Sequence, residues 1–141
     1  MDRKSLLKTL NLSRFTAFDF ETTGLDPYND RIIEIAAIRF EDGEITDRYV
    51  ELINPERPIS RMITEITGIS NKMVQNAPTE ETIIDDFLYF LGNDPLVAHN
   101  IHFDDQFLSV MCDRLGRNKG NNINYDTLQL SRSLFFDQPV F

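Results

Sequence analysis

Residues 31–40, RIIEIAAIRF, form a nearly continuous apolar run, and no other segment constrains the fold as strongly. A short apolar run rich in β-branched residues and bounded by turn signals predicts a strand covered on both faces. Asp42-Gly43 follows at once and is a hairpin signal, so 44–53 (EITDRYVELI) reads as the returning strand. Pro55 and Pro58 close it. Upstream, 15–22 (FTAFDFET) is β-rich and stops at the Gly24 breaker. Residues 1–14 read as a mildly basic lead-in without a decisive period, ahead of a domain spanning 15–141.

Beyond the hairpin the pattern changes period. After a loop containing Thr67-Gly68, Pro78-Thr79 precedes a helix with Ile83, Ile84, Phe87, Leu88 and Leu91 on one face. Glu80 and Glu81 occupy its first turn, where the helix dipole favours them, and Gly92 ends it. Residues 96–98 (LVA) read as a short buried strand. A second helix runs from Ile101 or His102 to Leu115, with Gly116 as its stop. Residues 124–135 suggest a strand end turning into a helix. The order β-β-β-α-β-α-β-α predicts an α/β domain with a mixed sheet begun by a hairpin.

Composition narrows the function classes. A chain of 141 residues, 41% hydrophobic and 26% charged, fits one domain with a real core. No stretch approaches the ~18 apolar residues of a membrane span, and no signal-peptide pattern opens the chain, so a cytoplasmic location is expected. The single cysteine, Cys112, excludes a disulfide framework and a multi-cysteine zinc site. Placed on the second helix after Met111, it reads as a packed thiol. The net charge of −9 excludes a broad electrostatic coat for nucleic acid, since phosphate neutralisation needs Lys and Arg. Action on a nucleic-acid end remains open if divalent cations meet the phosphates.

Three carboxylates stand apart from the acidic surface. Asp19 and Glu21 are two residues apart on the first strand, so they project from one face with Cα atoms about 6.6 Å apart. Such a pair repels unless a cation lies between its members. On the second helix, Phe107, Leu108, Met111 and Leu115 follow Asp104 at offsets of 3, 4, 7 and 11, which puts Asp104 on the buried stripe. A carboxylate there must be paired, hydrogen-bonded or metal-bound, and helix-dipole stabilisation in the first turn is the plainer alternative. Oxygen-only ligands select Mg²⁺ or Mn²⁺, and two such ions about 4 Å apart would suit phosphodiester hydrolysis.

Residues 18–25 (FDFETTGL) and 97–108 (VAHNIHFDDQFL) resemble the first and second motifs of the DnaQ-like (DEDDh) 3′→5′ exonucleases. Between them, ITGIS at 66–70 and MVQNAP at 73–78 are similar to the family's nucleotide-pocket loop and its sequel. Asp126-Thr127-Leu128 resembles its DTL element, and the likeness runs from about Phe15 to the C-terminus. This family includes the epsilon proofreading subunit of bacterial DNA polymerase III and the exonuclease domain of the Gram-positive replicative polymerase. The resemblance implies a ribonuclease H-like fold with a mixed five-stranded sheet flanked by helices. It implies Asp19, Glu21 and Asp104 as three of four metal-binding carboxylates for two Mg²⁺ or Mn²⁺ ions. Thr22, Thr23, Gly24 and Leu25 would hold the 3′-terminal nucleotide, Ile66 and Thr67 would line the base pocket, and Asn100 and Phe103 would shape the approach to Asp104. The implied reaction is stepwise hydrolysis from the 3′ end of single-stranded DNA or RNA, releasing nucleoside 5′-monophosphates, with polymerase subunits as further partners.

The family's third motif is a His followed five positions later by an Asp, supplying the general base and fourth carboxylate. The chain has only His99 and His102. His99 has Asp104 at the right offset, but Asp104 belongs to the second motif, and Phe107 stands five positions after His102. The expectation is therefore a domain incomplete at its C-terminus, inactive or weak, since acid–base catalysis alone contributes ~10²–10⁴-fold. Apolar residues Leu134, Phe135, Phe136 and Phe141 would then be exposed and favour self-association. A non-catalytic module that holds a 3′ end or a protein is the alternative function. Glu34 is open between a supporting role at the site and a solvent contact, while Tyr28 and Arg31 read as surface.

Overall fold

The computed structural model describes residues 2–128. Five strands form one mixed sheet in the order β3-β2-β1-β4-β5. Here β1 is Arg14–Thr22, β2 Ile32–Glu41, β3 Glu44–Leu52, β4 Leu96–Ala98 and β5 Asn124–Asp126. β1 pairs antiparallel with β2 and parallel with β4, so the central strand is also where the sheet changes sense. The expected α/β class and mixed five-stranded sheet are both present. At the hairpin tip Asp42 and Gly43 have φ of 51° and 83°, the paired positive values that a two-residue hairpin turn needs.

Five helices complete the described part: α1 (Arg3–Thr9), α2 (Arg61–Thr67), α3 (Asn71–Val74), α4 (Glu80–Leu91) and α5 (Ile101–Leu115). α4 and α5 match the expected helices and pack on one face of the sheet. Ile83, Ile84, Phe87, Phe107, Leu108 and Met111 there meet Phe18, Phe20, Ile35 and Ala37 in a continuous core. Cys112 is buried in the same core, and burial pushes its thiol up to about 11, an inert packed thiol as expected. Among the described residues, no helix is long and apolar enough to cross a membrane.

Three expectations need correction. The lead-in contains a helix, α1, capped by the Asp2 carboxylate on the Ser5 N–H at 2.8 Å and tied to the hairpin by Arg3 on Glu44. The segment read as a loop around Thr67-Gly68 holds α2 and α3, started by Ser60 and Ser70 caps. Helices of seven and four residues are too short for apolar periodicity to register, so only their caps could reveal them. Lastly, β2 is fully covered on both faces only at its start. A bulge makes Glu21 pair with Glu34 but Thr22 with Ile32, leaving Ile33 as the extra residue. Ile32 then joins the main core, and Ile33 packs with Ile59, Ile69 and Val74 under α2 and α3. Further along, Ala36, Ile38 and Phe40 are half-buried. Leu134, Phe135, Phe136 and Phe141 lie outside the described residues.

Candidate active site

Alternation along β1 sends Phe18 and Phe20 into the core and Asp19 and Glu21 to the opposite face. Asp19 is exposed and Glu21 half-buried. Glu21 lies directly across from Glu34 on β2, so the residue left open between two roles is a third carboxylate beside the expected pair. Like charges directly opposite each other on neighbouring strands repel.

α5 brings Asp104 to the same place from another element. Its side chain is 3% exposed, and one carboxylate oxygen accepts the Phe20 backbone N–H at 3.3 Å. Burial first, and then the Asp19 charge, push Asp104 up to about 7, against the pull of the Phe20 N–H. Burial also raises Asp19. Glu21 is raised by burial, then by Asp19 and Glu34. Among the described residues no Lys or Arg forms an ion pair with any of these three. Negative charge thus accumulates without a protein cation to balance it.

Next to these carboxylates is a cavity of about 430 Å³. Seven expected nucleotide-site residues line it: Thr22, Thr23, Gly24, Leu25, Ile66, Thr67 and Phe103. Glu21 reaches its edge, and Phe20, Ser60, Met62 and Ile63 complete it. Ser60, Met62 and Ile63 went unforeseen because they belong to α2, which has no periodic signature. Asn100 is not among the lining residues. It has left-handed φ and ψ of 56° and 54° at the start of α5, and its backbone N–H donates to Asp126 at 2.9 Å. His99, at the end of β4, is exposed, with Nδ1 3.1 Å from the Thr127 hydroxyl. A separate cavity of about 500 Å³ between Tyr28 and the outer side of α5 touches none of the carboxylates.

Local hydrogen bonds brace the pocket walls. The Asp30 carboxylate accepts from the Thr23 hydroxyl at 3.1 Å and from the Asp26 N–H at 3.0 Å. It packs so closely over Gly24 that a Cβ there would lie 2.4 Å from its oxygen. On the facing wall, Ser60 caps α2 through the Ile63 N–H, and left-handed Gly68 ends that helix. The Thr67 hydroxyl is spent on the Ile63 carbonyl and the Ile69 N–H.

Asp19, Glu21 and Asp104 fit a hard divalent cation by donor chemistry: all oxygens, one of them buried, with no competing protein cation. Their present spacing is looser than a closed cage. Among the described residues, no group of three or more His, Cys, Asp or Glu side chains is gathered tightly enough to hold a metal ion.

Comparison with known proteins agrees with this geometry. The RNase T-type exonuclease family model matches residues 16–139. The chain is 46% identical over 120 residues to the PolC-type DNA polymerase III of Thermotoga petrophila, covering 85% of this chain and 9% of that protein. It is 43% identical over 129 residues to the PolC-type DNA polymerase III of Bacillus subtilis, covering 91% of this chain and 9% of that one. The chain thus spans about a tenth of the length of these relatives. Exonuclease I has the same fold: an ExoI/SSB-Ct complex gives a TM-score of 0.79 at 22% identity, over 90% of this chain and 31% of that one. E. coli exonuclease I with a dT13 oligonucleotide gives 0.77 at 22% identity, over 87% of this chain and 30% of that one. The chain therefore belongs to the RNase T-type exonuclease family.

Proposed function

We propose that this chain is a 3′→5′ exonuclease domain of the replicative, proofreading kind, hydrolysing the last phosphodiester bond of a nucleic-acid strand. The observation that carries the reading is the contact between three carboxylates, of which Asp104 is buried, and a nucleotide-sized pocket, with Glu21 belonging to both. The PolC-type polymerases at 46% and 43% identity support DNA as the substrate and a polymerase as the working partner.

Each residue then has a task. Phe103, Ile66 and Leu25 hold the terminal base and sugar by apolar contact, while Thr22, Thr23 and Gly24 present their backbone beside the scissile phosphate. Asp19, Glu21 and Asp104 would hold Mg²⁺ or Mn²⁺. The chemistry that such divalent cations would supply there is a lowered pKa for the attacking water and charge stabilisation at the phosphate and the leaving 3′ oxygen. The buried position of Asp104, with one oxygen fixed by the Phe20 N–H, keeps the cluster from relaxing when charge changes. The loose spacing of the carboxylates favours a second reading in which the domain binds a 3′ end without cutting it.

Digestion of 5′-labelled single-stranded DNA in Mn²⁺, run beside Asp19→Asn, tests the proposal. A ladder of 3′-shortened products that vanishes in the variant supports the exonuclease. Binding of the oligonucleotide with no products from either protein supports the second reading.

A further inference from the structure

The left-handed turn at Asn100 launches α5 and thereby sets where Phe103 and Asp104 point. Asn100 makes no side-chain cap of its own. Its carbonyl accepts the Phe103 N–H at 3.1 Å, so the backbone conformation of this one residue links the peptide before it to the first helical turn. A non-glycine residue at φ 56° is uncommon and needs outside support.

The support comes from β5 and the residues just after it. Asp126 pairs with Ala98 at the end of β4, and its Oδ1 accepts the Asn100 N–H at 2.9 Å and the Leu128 N–H at 3.0 Å. Thr127 adds a second grip, with its hydroxyl 3.1 Å from His99 Nδ1 and 3.4 Å from the Ala98 carbonyl. Three consecutive residues, 98 to 100, are thus held by two others. A charged acceptor on backbone N–H groups is among the stronger hydrogen bonds, and a carboxylate near a helix start is favoured by the dipole.

We propose that Asp126 is a positioning residue of the active site. By fixing the Asn100 peptide it places Asp104 for metal binding and Phe103 for the nucleotide, without touching either ligand itself. The inference rests on Asp104 being a metal ligand, as argued above.

Three substitutions separate position from charge. Asp126→Asn keeps an acceptor oxygen at the same reach and loses the charge. Asp126→Glu keeps the charge and moves the oxygen outward by a methylene, and Asp126→Ala removes the acceptor. Calorimetric titration of the whole chain with Mn²⁺ should give Asp126→Asn an affinity within about 3-fold of wild type. Asp126→Glu and Asp126→Ala should be weaker by about 10-fold or more, the usual cost of losing a group that orients a metal ligand. Wild-type affinity in the Ala or Glu variant, or an Asn variant as weak as Ala, overturns the proposal. Should Asp126→Ala fail to fold, the Asn and Glu pair decides. If wild type binds no Mn²⁺, the metal-site reading fails, and amide hydrogen exchange still tests the positioning role. Asp126→Glu should then speed exchange at Asn100 and Phe103 by about 10-fold or more with the rest of the core unchanged, and equal exchange there contradicts it.

Discussion

Glu21 and Glu34 face each other directly across the β1–β2 pair, two carboxylates in register where a sheet ordinarily places partners of opposite charge. With Asp19 on the same strand face and Asp104 arriving from α5, they make an acidic group that raises its own members. A fold tolerates such repulsion where a ligand relieves it.

The first consequence is an inverted pH dependence of metal-free stability. Asp104 stands near 7 when folded, against an ordinary 3.8. Between those values the native state binds the extra proton, so the contribution of Asp104 to stability is full below pH 4 and declines until about pH 7. Asp26 and Asp85 are shifted downward, by the Asn29 amide and by Arg117, so they titrate below this window. In a chelator, Tm should fall between pH 5 and pH 8 by a few degrees, on the order of 3 °C. Asp104→Asn should flatten that fall, and Mn²⁺ at pH 8 should reverse it in wild type.

Removing Asp94 should damage stability without entering the site. This carboxylate, 8% exposed, receives Arg14 at 2.8 Å, Arg39 at 3.4 Å and the buried Thr16 hydroxyl at 3.0 Å. Arg39 also lies 4.4 Å above the Phe90 ring and donates to the Phe90 carbonyl, so one side chain joins the sheet to the end of α4. Asp94→Ala leaves the buried Thr16 hydroxyl without its acceptor and Arg39 with only Phe90 and Asp47, at a cost of about 2 kcal/mol. Urea unfolding measures it, and the Mn²⁺ affinity of the folded variant should stay at the wild-type value.

The elements were legible in the sequence where a pattern had room to repeat. The apolar run from Ile32 to Ile38, the Asp42-Gly43 turn and the stripe through Phe107, Leu108 and Met111 each became the element expected. Asp104 was readable as buried for the same reason. α2 and α3 were not, because their information lies in two serine caps and one glycine and not in a period. The pairing of Glu21 with Glu34 was equally hidden, since register across a strand pair depends on a bulge at Ile33 that no spacing announces. Asn100 was expected to shape the approach to Asp104, but the left-handed turn it makes was not legible, since its partner lies 26 positions away at Asp126.

Gly24→Ala should harm nucleotide binding through crowding. The new Cβ would meet the Asp30 carboxylate at 2.4 Å, forcing it off Thr23 and Asp26. The expected result is a loss of about 1–3 kcal/mol of stability. Affinity for a nucleoside 5′-monophosphate in Mn²⁺ should fall in parallel, read by calorimetry.

Ile66 should behave oppositely. It is 71% exposed at the pocket mouth, so truncation costs the free protein almost nothing. Ile66→Ser should leave Tm unchanged and weaken monophosphate binding by about 5- to 10-fold, the worth of roughly one partly buried aliphatic side chain. Equal binding by both proteins would remove α2 from the nucleotide site.

On the proposed function, the carboxylates and the pocket form one site for metal and nucleotide together. Calorimetric titration of Mn²⁺ into the chain, with and without deoxythymidine 5′-monophosphate, tests it most directly. The predicted result is saturable Mn²⁺ binding that tightens when the nucleotide is present and disappears in Asp19→Asn and Asp104→Asn. Mn²⁺ binding that ignores the nucleotide, or that survives both substitutions, would contradict it.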